Sequence, residues 1–296
     1  MNRHPLASAT ALMTSAALLF GVMAILAKGA AAHLPGPEIA FIRFCVGLVA
    51  CGVAATRIRM RANNWRGLVW RGAFGGAAVL CYFLAIEHLS VGMATLLNYT
   101  APVFAALWAW LFLGERVALG TFGALALTTG GVAVVIVANA PPGGVALGPW
   151  QLVGILSSVL SGAAVATIRE VRKTDGSWEI FAAFCVAGAL FTGVPASRHW
   201  TAPTATGWAL MLAVGATSVA AQLMMTHALR DLPAAAAGVL FQLTPVSTII
   251  FGRILYGERP VPLAIAGSAV TLVGVAWGAY LSAAPQRLQP AQPEEP

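Results

Sequence analysis

Apolar residues in this chain do not alternate with polar ones, nor do they recur in amphipathic stripes. They come as continuous runs of about 20 residues, the length a helix needs to cross roughly 30 Å of hydrocarbon. Ten runs can be marked, near 9–30, 37–56, 67–87, 92–112, 118–138, 150–169, 178–196, 206–228, 234–255 and 261–282. A transmembrane β-barrel would show alternating segments of about ten residues instead. The pattern predicts an all-α polytopic membrane protein with ten transmembrane helices. The first run is too long for the apolar core of a cleaved signal peptide, so it reads as a span.

Punctuation divides the runs into two sets of five. The stretch 139–149 holds Pro141, Pro142, Gly143 and Gly144, which stop helices. This predicts a cytoplasmic N-terminus at 1–8, a first repeat at 9–138, a connecting loop at 139–149, a second repeat at 150–282, and a disordered tail at 283–296. The halves are related in sequence. Gly114-Glu115-Arg116 after the fourth run matches Gly257-Glu258-Arg259 after the ninth, at an offset of 143. At that offset Pro102 meets Pro245, Gly72 meets Gly215 and Gly131 meets Gly274. Upstream the offset slips to 141 for Gly21 and Gly162, Lys28 and Arg169, and Glu38 and Glu179, and to 140 for Phe44-Cys45-Val46 and Phe184-Cys185-Val186. Five spans is an odd number, so the second repeat must insert upside down relative to the first. Inverted repeats are a mark of secondary transporters.

Composition agrees and charge adds orientation. The chain is 59% hydrophobic and 9% charged, too little charge to cover a water-facing surface. Its 17 Lys and Arg against 10 Asp and Glu give +7, which in a soluble protein would point to nucleic acid. Here 12 of the 17 (Arg3, Arg57, Arg59, Arg61, Arg66, Arg71, Arg116, Arg169, Arg172, Lys173, Arg230 and Arg287) fall in segments on one side. The positive-inside bias therefore places both termini in the cytoplasm of a bacterial-type inner membrane, with no nucleic-acid partner.

No catalytic machinery is visible. HExxH, GxSxG and P-loop patterns are absent from the sequence, the five histidines are scattered, and the four cysteines lie inside apolar runs without metal spacing. No enzyme activity, metal or cofactor is expected. No Asp or Glu stands in the middle of a run, so no coupling carboxylate is evident. Arg43 lies about seven residues into the second run. It reads either as a lock or contact for an anionic substrate group, or as a side chain snorkelling to the interface. Glu115 and Glu258 read as structural, each capping the helix that follows a glycine turn, with a gating role as the alternative.

Uncharged polar residues within the runs are the better substrate-site candidates. Pro102 frees a backbone carbonyl near Asn98, and Pro245 does the same in the ninth run. Tyr99 and Gln242 are equivalents, each three residues before its proline. Asn98, Tyr99 and Gln242 are expected to line a cavity, because freed carbonyls in a membrane belong where they face a cavity or a neighbouring helix. Phe20, Tyr82, Ser158, Gln222 and Thr226 join them as candidates, interhelical hydrogen bonding being the alternative for each.

Together, the ten runs in doubled order, Phe-Ile-Arg-Phe at 41–44, the paired prolines and the paired Gly-Glu-Arg resemble the EamA type of the drug/metabolite transporter superfamily, over residues 10–282. The resemblance implies export of small metabolites, notably amino acids, by alternating access. It also implies a central cavity between spans 1, 3, 4, 6, 8 and 9, with spans 2 and 7 at the sides and 5 and 10 bracing. The resulting expectation is an exporter whose partners are a small-molecule substrate and the lipid bilayer. Import of a nucleoside-like compound, and monomer or homodimer, stay open. A non-transporting scaffold or a membrane-embedded enzyme is the remote alternative.

Overall fold

A computed structural model describes residues 4–88, 97–115, 117–138, 148–198, 200–257 and 261–283. The expected connecting loop (139–147 of it), the tail beyond 283 and Glu258 lie outside the described residues. The described residues form helices joined by turns, with no strand among them. These are α1 (His4–Ala31), α2 (Gly36–Ala55), α3 (Trp65–His88), α4 (Ala101–Leu113), α5 (Leu119–Ala138), α6 (Pro149–Val171), α7 (Ser177–Arg198), α8 (Ala205–Ala228), α9 (Ala234–Phe241), α10 (Leu243–Tyr256) and α11 (Pro262–Ala283). Among the described residues, eight spans are long and apolar enough to cross a membrane, with α9 and α10 taken together as one; α4 and Leu119–Val135 are shorter apolar helices. At about 1.5 Å per residue, α1 alone reaches about 42 Å. It begins at His4, so residues 4–8 of the expected N-terminal segment are helical.

Helix ends follow local chemistry. Prolines sit in the first turn of α2, α4 and α6, where the missing N–H costs nothing. α4 and α10 each end on a glycine in the left-handed region, Gly114 at φ 66° and Gly257 at φ 63°. A side chain at either would be strained, which accounts for the repeated glycine before each glutamate.

The ninth run is two helices. Pro245 has no N–H to give the Phe241 carbonyl, and the chain tightens at Gln242, whose N–H turns back to the Val239 carbonyl (3.2 Å). The fourth run breaks at the matching place. Residues 99–100 form a turn, the Thr100 N–H bonds the Leu97 carbonyl (3.2 Å), and α4 starts one residue later.

α9 lies at the centre: Ala234 to Leu240 are all buried. It packs on α1, α4, α5 and α11. Around it α1 packs on α8 and α10, and α6 packs on α3 and α4. α2 and α7 pair with each other and with α8 and α3 respectively, and α5 pairs with α11. Small residues permit these approaches. A Cβ on Gly131 would lie 2.7 Å from the Thr271 nitrogen, and one on Gly274 would lie 3.0 Å from the Thr128 nitrogen. The outer surface carries Val49, Val69, Trp70, Phe112, Leu190 and Tyr280, all exposed, as lipid contact requires.

At one end of the bundle, loops 56–64 and 172–176 are stapled together. Asp175 accepts from the backbone N–H groups of Asn63 (2.8 Å) and Asn64 (3.0 Å), and Glu179 accepts from that of Arg61 (3.2 Å). Most of the described basic residues (Arg57, Arg59, Arg61, Arg66, Arg169, Arg172, Lys173 and Arg230) collect at this end, hereafter the basic face. Arg71, counted by sequence among the loop charges, is not there. It lies within α3, 3% exposed, with its guanidinium 4.2 Å from the centre of the Phe184 ring.

Candidate functional site

The two helix breaks meet. Gln242 is fully buried, and its Nε2 donates to the Tyr99 carbonyl oxygen (3.2 Å) and to Thr129 Oγ1 (3.2 Å). The carbonyl is released because the Val103 N–H bonds Thr100 instead (3.0 Å). The open carbonyl is that of Tyr99, next to Asn98, whose own helical donor would have been the N–H that Pro102 lacks. Gln242 Oε1 is shut off from solvent and has no partner among the described residues.

Asn98 stands on the other side of this break. Ser157 Oγ donates to the Ala78 carbonyl (2.8 Å) and lies 3.4 Å from Asn98 Oδ1. Ser158, also fully buried, lies 3.0 Å from Thr100 Oγ1 and donates to the Ile155 carbonyl (2.9 Å). Asn98, Tyr99, Ser158 and Gln242 therefore form one polar group drawn from the fourth, sixth and ninth runs, with α3 and α5 contributing Ala78 and Thr129. Phe20 bounds it on the α1 side, its ring 5.3 Å from that of Phe241 in an edge-on contact. Tyr82, on α3, stacks edge-on with Phe83 at 5.9 Å.

Gln222 and Thr226 sit one turn apart on α8, both buried. Among the described residues no hydrogen bond joins them to the Tyr99–Gln242 group. Gln222 Oε1 is a second buried acceptor without a partner among the described residues. Such oxygens are costly to leave unsatisfied and are suited to receiving a donor.

Arg43 turns toward α1. Its Nη1 points to Met23 Sδ on α1 (3.7 Å), its guanidinium lies 4.7 Å from the Phe44 ring centre, and its Nε is buried without a partner. Arg71 adds a second buried guanidinium beyond the same aromatic pair, since Phe44 and Phe184 stand edge to face at 5.0 Å. Sequence reading missed Arg71 because it lies only six residues from the start of its helix. Its neighbours Gly72, Gly75 and Gly76 were the available signal, since small residues mark a buried helix face.

Glu115 was expected to cap the helix that follows it. It caps α9 instead, accepting from the Ala234 N–H (3.1 Å), and it pairs with Arg169 of α6. Arg169 Nη1 also donates to the carbonyls of Leu229 (3.0 Å) and Arg230 (3.1 Å). One ion pair thus fastens the ends of α4, α6 and α8 to the start of α9. No group of three or more potential metal ligands occurs among the described residues.

With this geometry in place, similarity to known proteins is informative. The profile of the EamA-like transporter family matches the chain twice, over residues 7–137 and 148–279. The chain is 29% identical over 272 residues to a protein of Pseudomonas aeruginosa named pseudopaline exporter CntI, covering 90% of this chain and 94% of that one. It is 27% identical over 241 residues to a probable terminal-alkyne amino-acid exporter of Streptantibioticus cattleyicolor, covering 79% and 80%. A solved crystal structure shares the fold with a TM-score of 0.80 at 22% identity, over 93% of this chain and 97% of the other.

Proposed function

We propose a function from one premise: the chain belongs to the EamA-like transporter family and is a multi-pass membrane transporter, not an enzyme. The reading is a secondary exporter of small amphipathic metabolites, amino acids or their relatives, working by alternating access across a bacterial-type inner membrane with both termini in the cytoplasm. The two relatives named as exporters support the direction and the class.

The architecture proposed is ten spans in two inverted repeats of five. Reciprocal contacts between equivalent residues support it. Glu38 accepts from the Thr201 N–H (3.0 Å) in the α7–α8 loop, and its equivalent Glu179 accepts from the Arg61 N–H (3.2 Å) in the α2–α3 loop. Gly21 packs against Ser247 and its equivalent Gly162 packs against Phe104, which is Ser247 minus 143. Gly131 on Thr271 mirrors Gly274 on Thr128 in the same way. Rocking of two like halves about such an axis gives each membrane face a similar gate.

The observation that carries the site is the meeting of the two proline-induced breaks at Tyr99 and Gln242, with the Gln242 Oε1 left open. A substrate ammonium donates to that oxygen, Arg43 receives the carboxylate, and Phe20 and Tyr82 face the apolar side chain. Ser158, Gln222 and Thr226 complete the lining. Sided transport in inverted vesicles with a panel of amino acids and analogues tests this. Uptake into inverted vesicles, depressed in Gln242→Leu protein that inserts normally, is the expected result. Uptake only into right-side-out vesicles would reverse the direction, and no movement of any solute would sink the reading.

A further inference from the structure

A cavity of about 430 Å3 opens at the basic face between α1, α7 and α8. It is separate from the Tyr99–Gln242 group. Leu12, Leu223, Met224 and Trp178 line its apolar part, and Arg172, Ser177 and His227 its polar part. Two donors here have no acceptor among the described residues: Arg172 Nε and Ser177 Oγ are closed off from solvent and unpartnered there. Native proteins rarely leave buried polar atoms so, and a charged donor is the costliest to strand.

The surrounding charges do not fill the vacancy. Arg172 gives Nη1 to the Asp175 carbonyl (2.7 Å). The Asp175 carboxylate is taken by Asn63, Asn64 and Thr174, and Glu179 receives the Arg61 N–H. Burial, reinforced by the nearby Arg230 guanidinium, holds Arg172 below the usual arginine range despite Asp231 and Glu179. Arg172 Nε is left without a counter-charge among the described residues, which an anion in the cavity would supply. Ser177 opens the 22-residue α7, whose N-terminus adds partial positive charge on the same side.

Depth and shape identify the anion. Arg172 directly follows α6, Trp178 is the second residue of α7, and His227 lies in the last turn of α8. All three are at the helix ends, the level of lipid headgroups, where tryptophan is favoured. An apolar wall of Leu12, Leu223 and Met224 lies beside the donors, as an acyl chain requires. Basic pockets between spans are known to hold acidic headgroups. We propose that this cavity is a binding site for an anionic phospholipid, its phosphate accepting from Arg172 Nε and Ser177 Oγ and one acyl chain lying on Leu12, Leu223 and Met224.

The test uses the full chain in nanodiscs, with phosphatidylglycerol and phosphatidylcholine carrying brominated chains as probes. Trp178 fluorescence, isolated as the difference from Trp178→Phe protein, should be quenched at about tenfold lower mole fraction by phosphatidylglycerol, since both lipids offer the same phosphate but the choline ammonium of phosphatidylcholine cancels its charge beside Arg172 and Arg230. Arg172→Gln should remove that preference, and Ser177→Ala should raise the quenching mole fraction of both lipids alike. Equal quenching by both lipids overturns the proposal, even if neither variant folds. So does retention of the preference in Arg172→Gln. Inorganic phosphate and millimolar amino acids are added in a further arm. Displacement of the lipid by these soluble anions would assign the donors to a free anion and overturn the lipid reading; continued quenching supports it.

Discussion

Gln242 Nε2 donates to the main-chain oxygen of Tyr99 at 3.2 Å, and these two residues occupy the same position in the two halves of the chain, 143 residues apart. A side chain thus fills the gap that a proline opened in the equivalent helix. The second hydrogen of the same amide goes to Thr129. The amide is therefore structural at its nitrogen and open at its oxygen.

Because of that division, Gln242→Leu and Thr129→Val should couple. A buried interhelical hydrogen bond in a membrane protein contributes about 0.6 kcal/mol on average. Thermal unfolding of both single variants and the double variant in detergent should give a coupling energy of about 0.5–1 kcal/mol. Strict additivity would mean that the Thr129 contact contributes nothing.

The Glu115–Arg169 pair makes a different prediction, because its partners are not interchangeable. Glu115→Gln keeps an oxygen for the Ala234 N–H and should cost about 1 kcal/mol, whereas Arg169→Gln loses the pair and two carbonyl contacts and should cost about 2–3 kcal/mol. Reversing both charges should not restore stability, since an arginine at 115 has nothing to offer the α9 N-terminus and a glutamate at 169 cannot donate to Leu229. Recovery of the thermal midpoint in the reversed double variant would show that charge alone matters.

Two adjacent glycines of α5 should behave oppositely. A Cβ on Gly130 meets nothing within 4 Å, but one on Gly131 runs into Thr271 and the Gly267 carbonyl of α11. Gly130→Ala should be neutral or slightly stabilising, as the helix propensity of alanine predicts. Gly131→Ala should separate α5 from α11 and cost about 1–3 kcal/mol. Equal midpoints for the two would contradict the close packing.

Arg43→Met tests the proposed carboxylate contact. The guanidinium has no acidic partner among the residues described around it, so removing it should leave the thermal midpoint unchanged or raise it. Transport of zwitterionic substrates should nevertheless fall about tenfold or more, the value of a charge-assisted hydrogen bond. Unimpaired transport with a raised midpoint would confine Arg43 to packing against Met23.

Much of this protein is legible in its sequence. Run length depends on the thickness of hydrocarbon and on the rise of a helix, both fixed, so all-α membrane architecture follows from the sequence pattern. The positions of the helix breaks followed too, because a missing N–H at Pro102 and Pro245 acts within one turn. The left-handed glycines at 114 and 257 are equally local. What the sequence could not determine is which group answers each disturbance. The free carbonyl of Tyr99 is met by an amide from another run, Glu115 caps a helix 119 residues away, and Arg71 folds inward against Phe184 although it lies near the end of its helix. Each partner is brought by packing across the bundle. Local chemistry sets the demand for a hydrogen bond or a counter-charge along the chain, and only the tertiary structure decides which distant residue supplies it.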